Sequence, residues 1–93
     1  MNEAHDLIMK LCAARKERDA AKTDRATVNC QEHGRLVNER KLSDISEGGR
    51  VIGSWIVLAT PASKAAHRRY TTAAHKLAAA TRAINKYGER HEA

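Results

Sequence analysis

The sequence predicts a mainly α fold: two long helices, about 2–36 and 61–87, packed antiparallel and joined by an apolar segment of about 40–58, all within a single domain, 1–93. Three observations predict it. Seventeen alanines with no Phe, one Trp and two Tyr make the apolar fraction largely methyl groups, which favour close helix–helix contact over a bulky interior. From Asn2 to Leu36 there is no proline, and the first glycine is Gly34. Toward the other end Ala66, Tyr70, Ala73, Leu77, Ala80, Ile84 and Tyr87 recur in alternating steps of four and three, the heptad seam of a helix that packs along another.

In the first helix Ala4, Leu7, Leu11 and Ala14 form an apolar stripe with Ile8 beside it. The stripe then fails. The same register continues through Arg18, Ala21, Arg25 and Val28, and the segment RKERDAAKTDR is almost wholly charged. Asp6 with Lys10 and Arg15 with Asp19 are spaced for i,i+4 ion pairs, so this half reads as a solvated helix.

The connecting stretch SEGGRVIGSWIVLATP is the densest apolar run of the chain. Gly48 and Gly49 suit a two-residue turn, which sets Glu47 opposite Arg50, Ile45 opposite Ile52 and Leu42 opposite Trp55 in a β-hairpin of about 40–58. A short buried helix is the alternative, because Ile52, Trp55, Ile56 and Ala59 also share one helical face. Either form must lay its apolar side on the helices or on a partner.

Thr60 before Pro61 is a start signal for the second helix, and Gly88 reads as its stop. Its seam matches Leu7, Ile8, Leu11 and Ala14 in an antiparallel pair. A chain this short is near the size where one core only just suffices, and the same seam would also serve a homodimer.

Motifs for catalysis or metal are missing. In GGRVIG the glycines precede the apolar run, and Gly53 leads into Ser54 and Trp55 instead of a Lys-Ser/Thr pair, so no phosphate loop is encoded. Cys30 and His33 lie one turn apart, but no second Cys/His pair has ligand spacing, and Cys12 is about 27 Å away along a continuous helix. Two free thiols, no metal, no cofactor and no enzymatic activity are expected. The N-terminus lacks the basic start and unbroken apolar run of a secretory signal, and the longest apolar stretch is far short of the ~20 residues that span a bilayer. These features predict a cytoplasmic protein that makes no membrane contact.

Charge is the informative feature. Residues 48–88 hold Arg50, Lys64, Arg68, Arg69, Lys76, Arg82 and Lys86 and no carboxylate, so nearly all of the net charge of +6 lies in one half. At about 100° per residue, Lys64, Arg68, His75, Arg82 and Lys86 fall opposite the seam, with Arg69 and Lys76 flanking them. The stripe, roughly 30 Å long, suits an acidic partner. The predicted contact residues are Lys64, Arg68, Arg69, His75, Arg82 and Lys86, together with Trp55 of the apolar segment.

Two functions follow from this distribution. The first is a non-enzymatic interaction protein that docks on a larger protein complex with an acidic surface and inhibits or modulates it. The second is a sequence-nonspecific nucleic-acid binder whose basic helix lies along phosphates, although the chain has too few aromatics to stack on bases. The short Ala- and Arg-rich helical texture, without an enzyme motif, resembles small accessory proteins of temperate phages, including inhibitors of the RecBCD nuclease and anti-CRISPR proteins. That resemblance implies a bacterial nucleic-acid-processing or defence complex as partner and the host cytoplasm as location. It carries over no functional residue.

Overall fold

The computed structural model describes residues 2–39, 50–52, 55–58 and 60–91. In chain order the elements are α1 (Glu3–Asn38), β1 (Arg50–Ile52), β2 (Trp55–Val57) and α2 (Pro61–His91). The two helices pack along each other, as predicted. Their register is read from four cross-helix hydrogen bonds: Arg90 to Glu3, Lys76 to Glu17, Arg69 to Asp24 and Ser63 to Asn29. In each pair the two residue numbers add to 92 or 93, which is the signature of antiparallel pairing in one unbroken register.

Local chemistry sets the helix ends. Asn2 has extended backbone, and its side-chain oxygen accepts from the N–H groups of Ala4 and His5 at 3.0 and 3.3 Å, relieving two of the first turn's orphan donors. α1 runs two residues past Leu36 and through Gly34. Arg35 holds that last turn by donating to Glu32 at 2.8 Å and to Glu39 at 2.9 Å. Thr60 caps α2 as expected: its hydroxyl accepts from Ser63 N–H at 3.2 Å and its carbonyl from Lys64 N–H at 3.0 Å. Gly88 does not stop α2, which continues to His91. An interior glycine costs about 1 kcal/mol. Against that cost stand the Arg90–Glu3 bond at 2.9 Å and the stacking of the Tyr87 and His91 rings at 4.1 Å.

The largest departure from expectation is in the middle of α1. The apolar stripe gives out there but the seam does not: Arg18, Ala21 and Val28 are half-buried, and Arg25 is only 3% exposed. The Arg25 guanidinium lies 3.9 Å from the centroid of the Tyr70 ring, so the arginine substitutes for an aliphatic residue by cation–π stacking and by burying its stem. Conversely Ile8 falls off the seam and is 52% exposed. The intrahelical pairs are also re-sorted, since Asp19 accepts from Arg18 at 2.8 Å and not from Arg15. Asp6 has His5 at 3.9 Å in place of Lys10.

The hairpin of about 40–58 is not supported. β1 and β2 pair antiparallel with Arg50 opposite Val57, Val51 opposite Ile56 and Ile52 opposite Trp55, which displaces the predicted partners Glu47, Ile45 and Leu42. Only Gly53 and Ser54 separate Ile52 from Trp55, so a ladder in this register has no place for a Gly48–Gly49 turn between its strands. The predicted turn itself lies outside the described residues, as do Leu42, Ile45 and Glu47. The alternative of a helical 52–59 face is corrected too, because Ile52 and Trp55–Val57 are extended. A homodimer gains no support either: α1 of the same chain occupies the seam of α2.

Candidate interaction surface

The cross-helix contacts sort the cations of α2 into two rows. Arg69, Lys76 and Arg90 stand at heptad spacings on the flank of the seam, and Glu3, Glu17 and Asp24 stand at the same spacings on α1. Each cation meets one carboxylate: Arg69 and Asp24 at 2.7 Å, Lys76 and Glu17 at 3.1 Å, Arg90 and Glu3 at 2.9 Å. The missing rung of this ladder is Lys10 across from Ala83, where no carboxylate is encoded. The acids that balance the charge of α1 in a sequence count thus serve α2 as well.

The second row is Lys64, Arg68, His75, Arg82 and Lys86, all exposed on the side of α2 turned away from α1. None of the five has a carboxylate partner among the described residues. The structure therefore keeps five of the six predicted contact residues of α2 together and separates Arg69, whose guanidinium is engaged by Asp24. Trp55 opens β2, and that strand packs against α2.

A polar cluster near the start of α2 was not anticipated. The Ser63 hydroxyl, fully buried, donates to Asn29 Oδ1 at 2.7 Å, while Ser63 N–H donates to the Thr60 hydroxyl. Arg35 and, secondarily, the Thr60 hydroxyl hydrogen-bond the Glu32 carboxylate and hold its carboxyl below the usual range, and Glu32 and Glu39 in turn raise the Arg35 guanidinium. Continuing the α1 heptad past Arg18 to Arg25, Asn29 and Glu32 is the signal that would have found it. The cluster orders the start of α2 and so sets where Lys64 and Arg68 begin the exposed row.

Cys12 and Cys30 are exposed free thiols, and His33 is exposed as well. Among the described residues no group of three or more His, Cys, Asp or Glu side chains is placed to hold a metal ion. No described helix is long and apolar enough to cross a membrane. Comparison with family models, curated proteins and solved structures finds no match.

Proposed function

We propose that this chain is a non-enzymatic interaction protein that docks on a larger protein with an acidic surface and modulates it. One observation carries the reading: in a helix pair that neutralises Arg69, Lys76 and Arg90 within the chain, Lys64, Arg68, Arg82 and Lys86 are left exposed along one face without an ion pair among the described residues, and the one carboxylate that follows on that face is Glu89 at its end. Self-repulsion along such a row is relieved when an acidic surface meets it, and charge complementarity of this kind speeds encounter and fixes register. The phage-like texture of the sequence suggests a bacterial nucleic-acid-processing complex as the target. Phosphates present the same charge, so direct nucleic-acid binding is the competing outcome.

The test is capture from bacterial lysate with the tagged chain, with and without nuclease, beside Lys64→Glu/Arg68→Glu. A stoichiometric protein band that survives nuclease and falls about 10-fold or more with the double reversal is the expected result. A band that vanishes with nuclease, together with binding of the purified chain to random-sequence duplex DNA that weakens steeply with salt, would replace this reading with nucleic-acid binding. Trp55→Ala adds a second readout: an apolar contribution weakens capture at low and high salt alike.

A further inference from the structure

On the ladder flank the antiparallel register sets four heptad positions of α1 against four of α2, and three of them carry an ion pair. At the fourth, Lys10 faces Ala83. The Arg69–Asp24 and Lys76–Glu17 rungs stand one heptad apart, about 10.5 Å, whereas about 21 Å separates Lys76–Glu17 from Arg90–Glu3. Two clefts between the helices meet in that wider gap. One, of about 450 Å³, is lined by Leu7, Lys10, Ala13, Ala14, Ala79, Ala80 and Ala83 and ends at the Lys76–Glu17 pair. The other, of about 490 Å³, shares Leu7 and Ala83 with it and runs past Lys86 and Glu89 to the Arg90–Glu3 pair. Together they form one trough centred on the missing rung.

The floor of the trough is apolar without a break: Ala14 is 8% exposed, and Leu7, Ala80 and Ala83 are half-buried. Its volume is in the range of sites that take up side chains or small ligands. Lys10 is exposed and makes no hydrogen bond or ion pair among the described residues. Asp6, one turn earlier, stands instead 3.9 Å from His5. The neighbouring cleft between the Arg69 and Lys76 rungs is of similar volume, about 480 Å³, but there the chain supplies a carboxylate to the cation of each rung. The trough thus joins an open apolar floor to the one ladder cation for which the chain provides no anion.

We propose that the trough seats a segment of an acidic partner protein, with one Glu or Asp carboxylate taking the missing rung on Lys10 and an apolar side chain about one helical turn away resting on Leu7, Ala80 and Ala83. The inference rests on the reading that the partner is an acidic protein, and it adds a contact that this reading does not use. Lys86, the last cation of the outer row, borders the trough, so a partner lying along that row reaches it. Charge selects the occupant. Two copies of this chain docked trough to trough about a two-fold axis at its centre would set their Lys10 side chains against each other, whereas an acidic segment relieves that charge. Glu89 at the far end gives the trough a polarity, which directs the incoming carboxylate toward Lys10.

The probe is a synthetic helical peptide of about two heptads with Leu at a and d, one central Glu at g and neutral residues elsewhere, beside controls with Gln or Lys in place of the Glu. Titration followed by amide chemical shifts is expected to show one Glu peptide per chain, with shifts centred on Leu7, Lys10, Ala80 and Ala83. Lys10→Glu should weaken the Glu peptide about 10-fold or more and favour the Lys peptide. Ala83→Glu, which completes the ladder within the chain, should raise the melting temperature slightly and block the peptide. Ala83→Leu, which fills the floor and keeps Lys10, should block it as well. Lys64→Glu/Arg68→Glu, about 22 Å or more from Ala83 along α2, should leave peptide binding unchanged. The trough is refuted if the Glu peptide does not bind, if the Gln or Lys peptide binds equally, or if Ala83→Leu leaves binding intact. A dimer in sedimentation that Ala83→Leu disperses also refutes it. A protein captured from lysate through Lys64 and Arg68 but indifferent to Lys10→Glu and Ala83→Leu refutes the trough and leaves the outer row standing, whereas capture that vanishes with nuclease overturns the acidic-protein reading itself.

Discussion

The half of the helix pair near the connecting segment and the half at the chain ends are stabilised in opposite ways. Of the eight buried residues among those described, seven belong to the first half: Arg25, Leu36, Leu58, Thr60, Ser63, Ala66 and Ala73. Three of these are polar. The second half holds the leucines and isoleucine that make the clearest seam, Leu7, Leu11, Leu77 and Ile84, yet they are only half-buried, and among its described residues Ala14 alone is buried, at 8% exposure. Burial here follows close approach and satisfied hydrogen bonds more than side-chain hydrophobicity. Small Ala66, Ala73 and Ser63 let the backbones come near, and Asn29, Thr60 and Glu32 absorb the polar groups that approach strands. Two helices form a single layer, so large aliphatic side chains on their flanks stay partly in water.

This contrast is most easily broken by truncating one leucine in each half. Leu36→Ala should cost about 2–5 kcal/mol, because a side chain 1% exposed leaves a cavity, whereas Leu77→Ala should cost clearly less. Equal losses in urea denaturation would mean that the halves are packed alike. Adding volume probes the same difference from the other side. Ala66→Leu should destabilise by about 1–3 kcal/mol through overpacking, while Ala80→Leu, half-buried, should be neutral or stabilising in thermal melts.

A third variant asks whether the buried arginine belongs to the core. Arg25→Ala should cost about 1–2 kcal/mol by loss of the Tyr70 stack and of the buried stem, and Tyr70→Leu should erase most of that difference in a double-mutant cycle. Additive losses would show that the two side chains do not stabilise each other.

The smallest effect is a pH dependence. Glu32 is held below its ordinary value of 4.5 by Arg35 first and Thr60 second. A depressed folded-state value means that the contribution of Glu32 is fully present above the unfolded-state value and is lost as pH falls through the folded-state one. Stability should therefore decline on acidification through and below that ordinary value, and Glu32→Gln should flatten the acid limb measured by urea midpoints. An unchanged limb would show that the carboxylate is not coupled to folding.

Particular residues show what each level determined. The helices, the Thr60 cap and the seam from Ala66 to Tyr87 were legible in the chain, because propensity, capping and heptad spacing act over one or two turns. The outward row Lys64, Arg68, His75, Arg82 and Lys86 was legible for the same reason: a helix converts spacing into direction. Asn2 as a cap was equally local and was missed. The tertiary structure decided what depends on a partner distant in sequence. Only the antiparallel register brings Asp24 to Arg69 and Glu17 to Lys76. Only Tyr70 makes Arg25 a core residue, and only the reach of Arg90 to Glu3 and the stacking of Tyr87 on His91 favour helix beyond Gly88. A glycine stop is worth about 1 kcal/mol, so a contact between the helices such as Arg90 to Glu3 is strong enough to overrule it.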